Sequence, residues 1–406
     1  MIPASTVTPP ERIESVESVR SMAYPPDQRR DLRIDFIRGI VMFILVVNHI
    51  EAFSWFSLLT WERFGVATGG EGFVILSGLV LGMVYRGRVD RSGWGDAINR
   101  LVDRSTQLYR VNLFVIVSVF LLNLLPFLDA SAVMTYVNAD SGRVYPLYPT
   151  ARESISHWVA RTLLLQIGPH QFQILGLYVI LIFVTPLALW LIYHRRTGIL
   201  LAVSWIIYVA NWAWPTRPTG AQFEYAFPIL TWQLTYFHGL AVGYHRDKIA
   251  ELWRDVRFRQ AFFAVGIPVF LVCLFYAQNN PNPRVPDWAK LSVIPPDTFW
   301  SIYEDWFRKD RLGLGRLVNY FFLLSFGYLL LTRFWRPFHR ALGWFFVPVG
   351  QASLYVFIVH VYAVLLLYNF PFFFRNAHTV TLACFLALGG IWLMVRYRVG
   401  FRWIPR

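Results

Sequence analysis

The residue with the clearest chemical potential in this chain is a histidine inside an apolar helix, in the run Arg33-Ile-Asp35-Phe-Ile-Arg38-Gly39-Ile-Val-Met-Phe-Ile-Leu-Val-Val-Asn48-His49. An ionisable side chain at membrane depth is expensive and marks function by default. If the helix enters the hydrocarbon near Phe36, a rise of about 1.5 Å per residue puts His49 roughly 20 Å into a layer about 30 Å thick. Asp35, Arg38 and His49 recur at helical spacing, so one face links a charged entrance to a deep imidazole.

Two further polar residues belong at that depth. Glu71, in Gly69-Gly70-Glu71-Gly72, opens the next apolar stretch, and His360 ends the run Ser353-Leu-Tyr355-Val-Phe-Ile-Val-His360 well inside a later one. A carboxylate beside a histidine fixes its tautomer and raises its basicity, so that it can take a proton from a hydroxyl nucleophile. His49, Glu71 and His360 are therefore the expected catalytic cluster, and the chemistry they suit is acyl transfer. Arg33, Arg38 and Arg110, with Arg86 and Arg88 nearby, gather at the opposite mouth, where guanidinium groups suit the phosphates of a long donor.

The elements that must position these groups are membrane helices. The 406 residues are 56% hydrophobic with 17 Trp, and the mean hydropathy is +0.44. Apolar stretches near 36–58, 66–85, 111–128, 173–193, 199–214, 227–244, 261–277, 317–332, 345–369 and 379–395 predict an all-α polytopic membrane protein of about ten transmembrane helices, with both termini cytoplasmic. The charge agrees: with the N-terminus inside, the cytoplasmic segments hold 26 of the 38 Lys and Arg, and the whole net charge of +14 falls on that face. Topology and anionic lipid thus explain the basic balance, and nucleic acid is rejected as a partner.

Residues 1–30 are polar and rich in Pro and lack a signal-peptide pattern, so they read as a disordered cytoplasmic tail preceding a membrane-embedded domain over 31–406. Cys273 and Cys384 both fall in apolar spans and read as packing residues. No HExxH, CxxC, P-loop or GxSxG occurs in a usable context, so neither a metal site nor serine-hydrolase chemistry is expected. Gly78 and Gly82 form a close-packing face for a neighbouring helix. Two outer loops exceed linker length: 129–172, with an amphipathic helix near 151–165, and 278–315, where Trp288, Phe299, Trp300, Tyr303, Trp306 and Phe307 suit a ligand with flat apolar faces such as a sugar. A proton-coupled exporter of a glycan or acylated lipid is the rival class, with the same histidine relaying protons. The absence of an internal repeat weighs against it.

Several motifs carry a family resemblance: RIDFIRGIVMFILVVNH and GGEGFVILSG in the first two spans, LYRVN at Leu108–Asn112, ILGLYVILIFVTPLALWL, FPILTWQLTYFHGLAVGY, and SLYVFIVH around His360. They resemble the OpgC-type membrane proteins, relatives of the acyltransferase-3 superfamily, over nearly the whole chain after residue 30. The resemblance implies a bacterial inner-membrane enzyme that moves succinyl groups from cytoplasmic succinyl-CoA to osmoregulated periplasmic glucans, with acyl-CoA as a substrate and no tightly bound cofactor. His49 matches the superfamily histidine. Arg33 and Arg38 match its donor-side arginines, Arg110 falls at the basic position opening the third span, and Asp35 stands among them at the donor entrance. Gln173 departs from the pattern, standing where an acidic residue is expected.

Overall fold

The computed structural model describes residues 22–25, 30–137, 143–149 and 153–404. Ten helices build it: α1 (Leu32–His49), α2 (Gly69–Asn123), α3 (Ile174–Tyr193), α4 (Thr197–Ala213), α5 (Ile229–Tyr244), α6 (Val256–Gln278), α7 (Leu314–Arg333), α8 (Trp344–Gln351), α9 (Ser353–Tyr368) and α10 (Ala377–Arg396). Further helices of nine residues or fewer and one hairpin, β1 (Thr135–Val137) against β2 (Val144–Pro146), fill the connections. Most of the expected tail lies outside the described residues. Tyr24 is docked, its N–H donating to the Thr332 carbonyl at 3.0 Å and its hydroxyl accepting from the Leu32 N–H at 2.9 Å.

Every expected apolar stretch falls largely within these helices, but length and apolarity suffice for crossing in five among the described residues: α2, the stretch His170–Tyr193, α6, α7 and α10. A sixth forms if Trp335–Gln351 and α9, bent by 91° at Ala352, count as one broken span. The others fall short for visible reasons. α1 carries Arg33, Asp35 and Arg38 within its 18 residues, and α4 and α5 have only 17 and 16. The expected second and third spans are the two arms of α2, whose 55 residues would run about 80 Å if straight, far more than a bilayer. Gly93 divides them, with φ 78° in the region where a side chain is disfavoured.

The first arm packs against α5 by small residues. Gly78 and Gly82 of α2 face Gly239 and Gly243 of α5, and a Cβ added at any of the four would collide with backbone of the opposing helix. This reciprocal contact is the close-packing face the sequence predicts, and it lets two helices approach without a hydrophobic driving force. α1 lies against α2, α7, α8, α9 and α10, so the helix that bears His49 is surrounded. The two cysteines are free and buried. In the 129–172 loop the expected amphipathic helix forms over Ile155–Leu163, capped by the Ser154 hydroxyl.

Candidate active site

α1 and α9 together make the centre of the site. His49 occupies the last position of α1, and His360, fully buried, lies in the middle of α9. Nδ1 of His49 is 2.8 Å from Nε2 of His360, and the two rings stack with centroids 4.9 Å apart. Nδ1 of His360 is 2.6 Å from the Phe357 carbonyl oxygen. A carbonyl only accepts, so Nδ1 of His360 carries a proton and its Nε2 is left as an acceptor. His49 then donates from Nδ1, and its own Nε2 keeps a lone pair. One backbone carbonyl thereby sets the tautomer of both rings and leaves a base at Nε2 of His49.

Glu71 is bonded elsewhere. Its Oε1 accepts from Nη1 of Arg316 at 2.5 Å, and its Oε2 accepts from the Thr68 N–H at 3.0 Å and from the Thr68 hydroxyl, so both oxygens are engaged at the start of α2. Arg316, one turn inside α7 and fully buried, also donates to Glu62 at 2.7 Å, to the Tyr303 hydroxyl at 3.0 Å and to the Phe307 carbonyl at 2.7 Å. The carboxylate expected to orient His49 instead ties α2 to α7 and to the long outer loop. The side chain that hydrogen-bonds His49 is His360.

The charged end of α1 is equally specific. Asp35 is buried and accepts from Nε and Nη2 of Arg30 at 2.6 and 2.8 Å and from Gln351 at 3.4 Å. Arg33 donates to both oxygens of Asp31 at 2.8 and 2.7 Å and to the Thr332 hydroxyl at 2.8 Å, and its guanidinium lies between the rings of Tyr24 and Tyr328 at 4.1 and 4.3 Å. These contacts make it a clamp on the start of α1. Asp31 caps that helix; burial opposes ionisation, but bonds from Arg33 and the Tyr328 hydroxyl override it and hold the carboxyl below its usual range. Arg38 donates to the Ser353 hydroxyl at the start of α9. Both ends of the α1 face therefore meet the α8–α9 break and α9.

Arg110 lines a cavity of about 910 Å³ with Arg88, Arg100 and Arg104. Arg104 is within electrostatic range of Arg38. The same cavity reaches Ile358, two residues before His360 and so about 3 Å from it along α9. Neither His49 nor His360 is among its lining residues, so Ile358 marks its nearest approach to the pair along α9.

His170, Lys309 and Glu51 were not singled out from sequence. His170 and Lys309 lie within electrostatic range of His49. Nε2 of His170 is 2.5 Å from Oε1 of Glu51, and Lys309 sits over the Phe227 ring at 5.2 Å. Burial lowers the Lys309 ammonium from its ordinary pKa, with Glu71 and Glu62 opposing the shift and Arg316 adding to it. The position of Glu51, two residues beyond His49, is the one signal that the sequence offered. The aromatic loop divides: Phe299 and Phe307 stack on Tyr276 in a small buried cluster, while Trp288 is exposed.

The family model described as OpgC protein matches residues 30–406. No curated protein matches the chain.

Proposed function

The chain belongs to the OpgC family, which has a role in modifying osmoregulated periplasmic glucans, and on that premise we propose that it is an integral-membrane O-acyltransferase. In this reading the ten apolar segments are all membrane-embedded, both termini face the cytoplasm of a bacterial cell, and the membrane is the inner one. The donor is an acyl-CoA, with succinyl as the acyl group, and the acceptor is a hydroxyl of a periplasmic glucan.

The observation that carries the proposal is the His49–His360 pair held by the Phe357 carbonyl. In the transfer step Nε2 of His49 removes the proton of the acceptor hydroxyl as its oxygen bonds to the thioester carbonyl carbon. The tetrahedral carbon then expels the thiolate, breaking the C–S bond, and the proton on Nε2 passes to sulfur. His360 accepts from Nδ1–H throughout and supports the transient imidazolium, the part a carboxylate plays in hydrolase triads. Arg88, Arg100, Arg104 and Arg110 suit the phosphates of coenzyme A, and the cavity's 910 Å³ lies in the range of small-molecule sites. The pantetheine arm would run past Ile358 to the histidines. Arg38, within electrostatic range of Arg104, would add positive charge along that path.

Mass spectrometry of periplasmic glucans from cells with and without the protein tests the reading. Succinyl increments present only with the protein are expected. Identical spectra would overturn it.

A further inference from the structure

The segment that leaves α1 passes from the histidine pair to an exposed aromatic surface. Glu51 has φ 54°, a conformation disfavoured for a residue with a side chain. Its carbonyl accepts from Arg284 at 3.1 Å, and its carboxylate accepts from Nε2–H of His170 at 2.5 Å. Nδ1 of His170 is buried and has no hydrogen-bond partner among the described residues. Just beyond stand four rings in a chain: Phe53 lies 5.9 Å from Trp55 and 5.9 Å from Trp61, and Trp55 lies 6.2 Å from Trp288. Trp55 is 38% and Trp288 71% exposed.

The segments that carry Trp55 and Trp288 are tied down by hydrogen bonds. The Trp55 backbone N–H donates to the Thr381 hydroxyl at 2.9 Å and its indole N–H donates to Nδ1 of His378 at 3.2 Å, so its polar edge is engaged and its orientation fixed. Trp288 sits in a single helical turn, Asp287–Ala289, whose Ala289 carbonyl accepts from Arg63. Arg284, four residues before Trp288, binds Glu51 and so joins the loop to the end of α1. An interfacial belt needs rings alone. Here a half-exposed carboxylate, paired with a histidine that is itself within electrostatic range of His49 and His360, adjoins them. Flat apolar faces beside an anionic acceptor fit a pyranose, which has an apolar C–H face and hydroxyls at its edge.

We propose that Glu51, Trp55 and Trp288 form the acceptor shelf of the acyl-transfer site, taking a glucose unit of the glucan with its C–H face on the indoles and a hydroxyl on the Glu51 carboxylate. The assignment rests on the transferase reading above. It places the acceptor on the segment that leaves α1, beginning two residues beyond His49.

The test is binding of a β-linked glucose hexamer to the full-length protein in detergent without donor, followed by calorimetry and tryptophan fluorescence. Wild type should bind, Trp55→Ala and Trp288→Ala should weaken binding about tenfold or more, and Glu51→Gln about fivefold. Trp288→Phe, which keeps a ring, should stay within about twofold of wild type, and Trp214→Ala, at an indole 74% exposed outside the ring chain, should match it. No binding by wild type, unchanged binding in all shelf variants, or equal loss in Trp214→Ala would overturn the shelf. Binding without acyl transfer would instead overturn the transferase reading and leave the shelf standing.

Discussion

His49 and His360, 311 positions apart in the chain, are joined Nδ1 to Nε2 at 2.8 Å, and the proton arrangement of the pair follows from the Phe357 carbonyl behind it. A hydrogen-bonded imidazole that can only donate from Nδ1 presents Nε2 to its substrate in one tautomer. In the proposed transfer this pairing would let His49 act as an oriented base.

The first prediction separates base from positioner. His49→Ala should lower acyl transfer about 100-fold or more, a typical general-base contribution, while the protein still inserts and purifies. His360→Ala should also lower the rate, but His360→Gln should recover part of it, because the amide oxygen accepts from Nδ1–H of His49. Rates and pH profiles of purified variants check this. Equal rates for His360→Ala and His360→Gln would remove the orienting role.

Glu71 teaches where reading from depth stops. A residue's position along a helix fixes its level in the membrane, and that made His49, Glu71 and His360 legible as neighbours. It does not fix which way each faces in the plane of the membrane, and Arg316, 245 positions from Glu71, captures the carboxylate there. The start of α1 shows a similar limit. Counting positive charge treats Arg33, Arg38 and Arg110 alike, whereas Asp31 and Tyr24 tie Arg33 down and leave Arg110 lining a cavity. The small-residue face of Gly78 and Gly82 was legible because four-residue spacing alone defines it; Gly239 and Gly243 share that spacing, but which helix meets which is settled only by packing.

Glu71→Gln is expected to act on stability. Arg316 is fully buried and would lose one of its two carboxylates, and breaking a buried pair typically costs about 3–5 kcal/mol. Thermal unfolding in detergent should show a clear fall in Tm, with the affinity for coenzyme A unchanged. A normal Tm with a selective loss of kcat would return Glu71 to the catalytic centre.

Asp31 gives a pH dependence with a definite sign. Its carboxyl is held below the ordinary value in the folded protein, so its contribution is present above about pH 4, the unfolded value, and is lost as pH falls through the folded one. Asp31→Asn should therefore lower Tm at pH 7 and differ progressively less from wild type as the pH drops below 4. A constant gap between the two proteins at every pH would exclude this origin.

The arginines allow a prediction in two opposite directions from one residue type. Arg110 lines the cavity, and Arg110→Ala removes a charge-assisted phosphate contact of roughly 1.5–3 kcal/mol, so coenzyme A should bind about ten- to a hundredfold more weakly with Tm little changed. Arg110→Lys should recover only part, since an ammonium lacks the planar fork that grips phosphate. Arg33 has its donors on Asp31 and Thr332 and its faces on two tyrosines, so Arg33→Ala should lower Tm while coenzyme A affinity holds within about twofold. Calorimetry and thermal unfolding on the same preparations decide it. If Arg33→Ala loses affinity as steeply as Arg110→Ala, the donor site extends to the start of α1, and the cavity walled by Arg88, Arg100, Arg104 and Arg110 is not the whole of it.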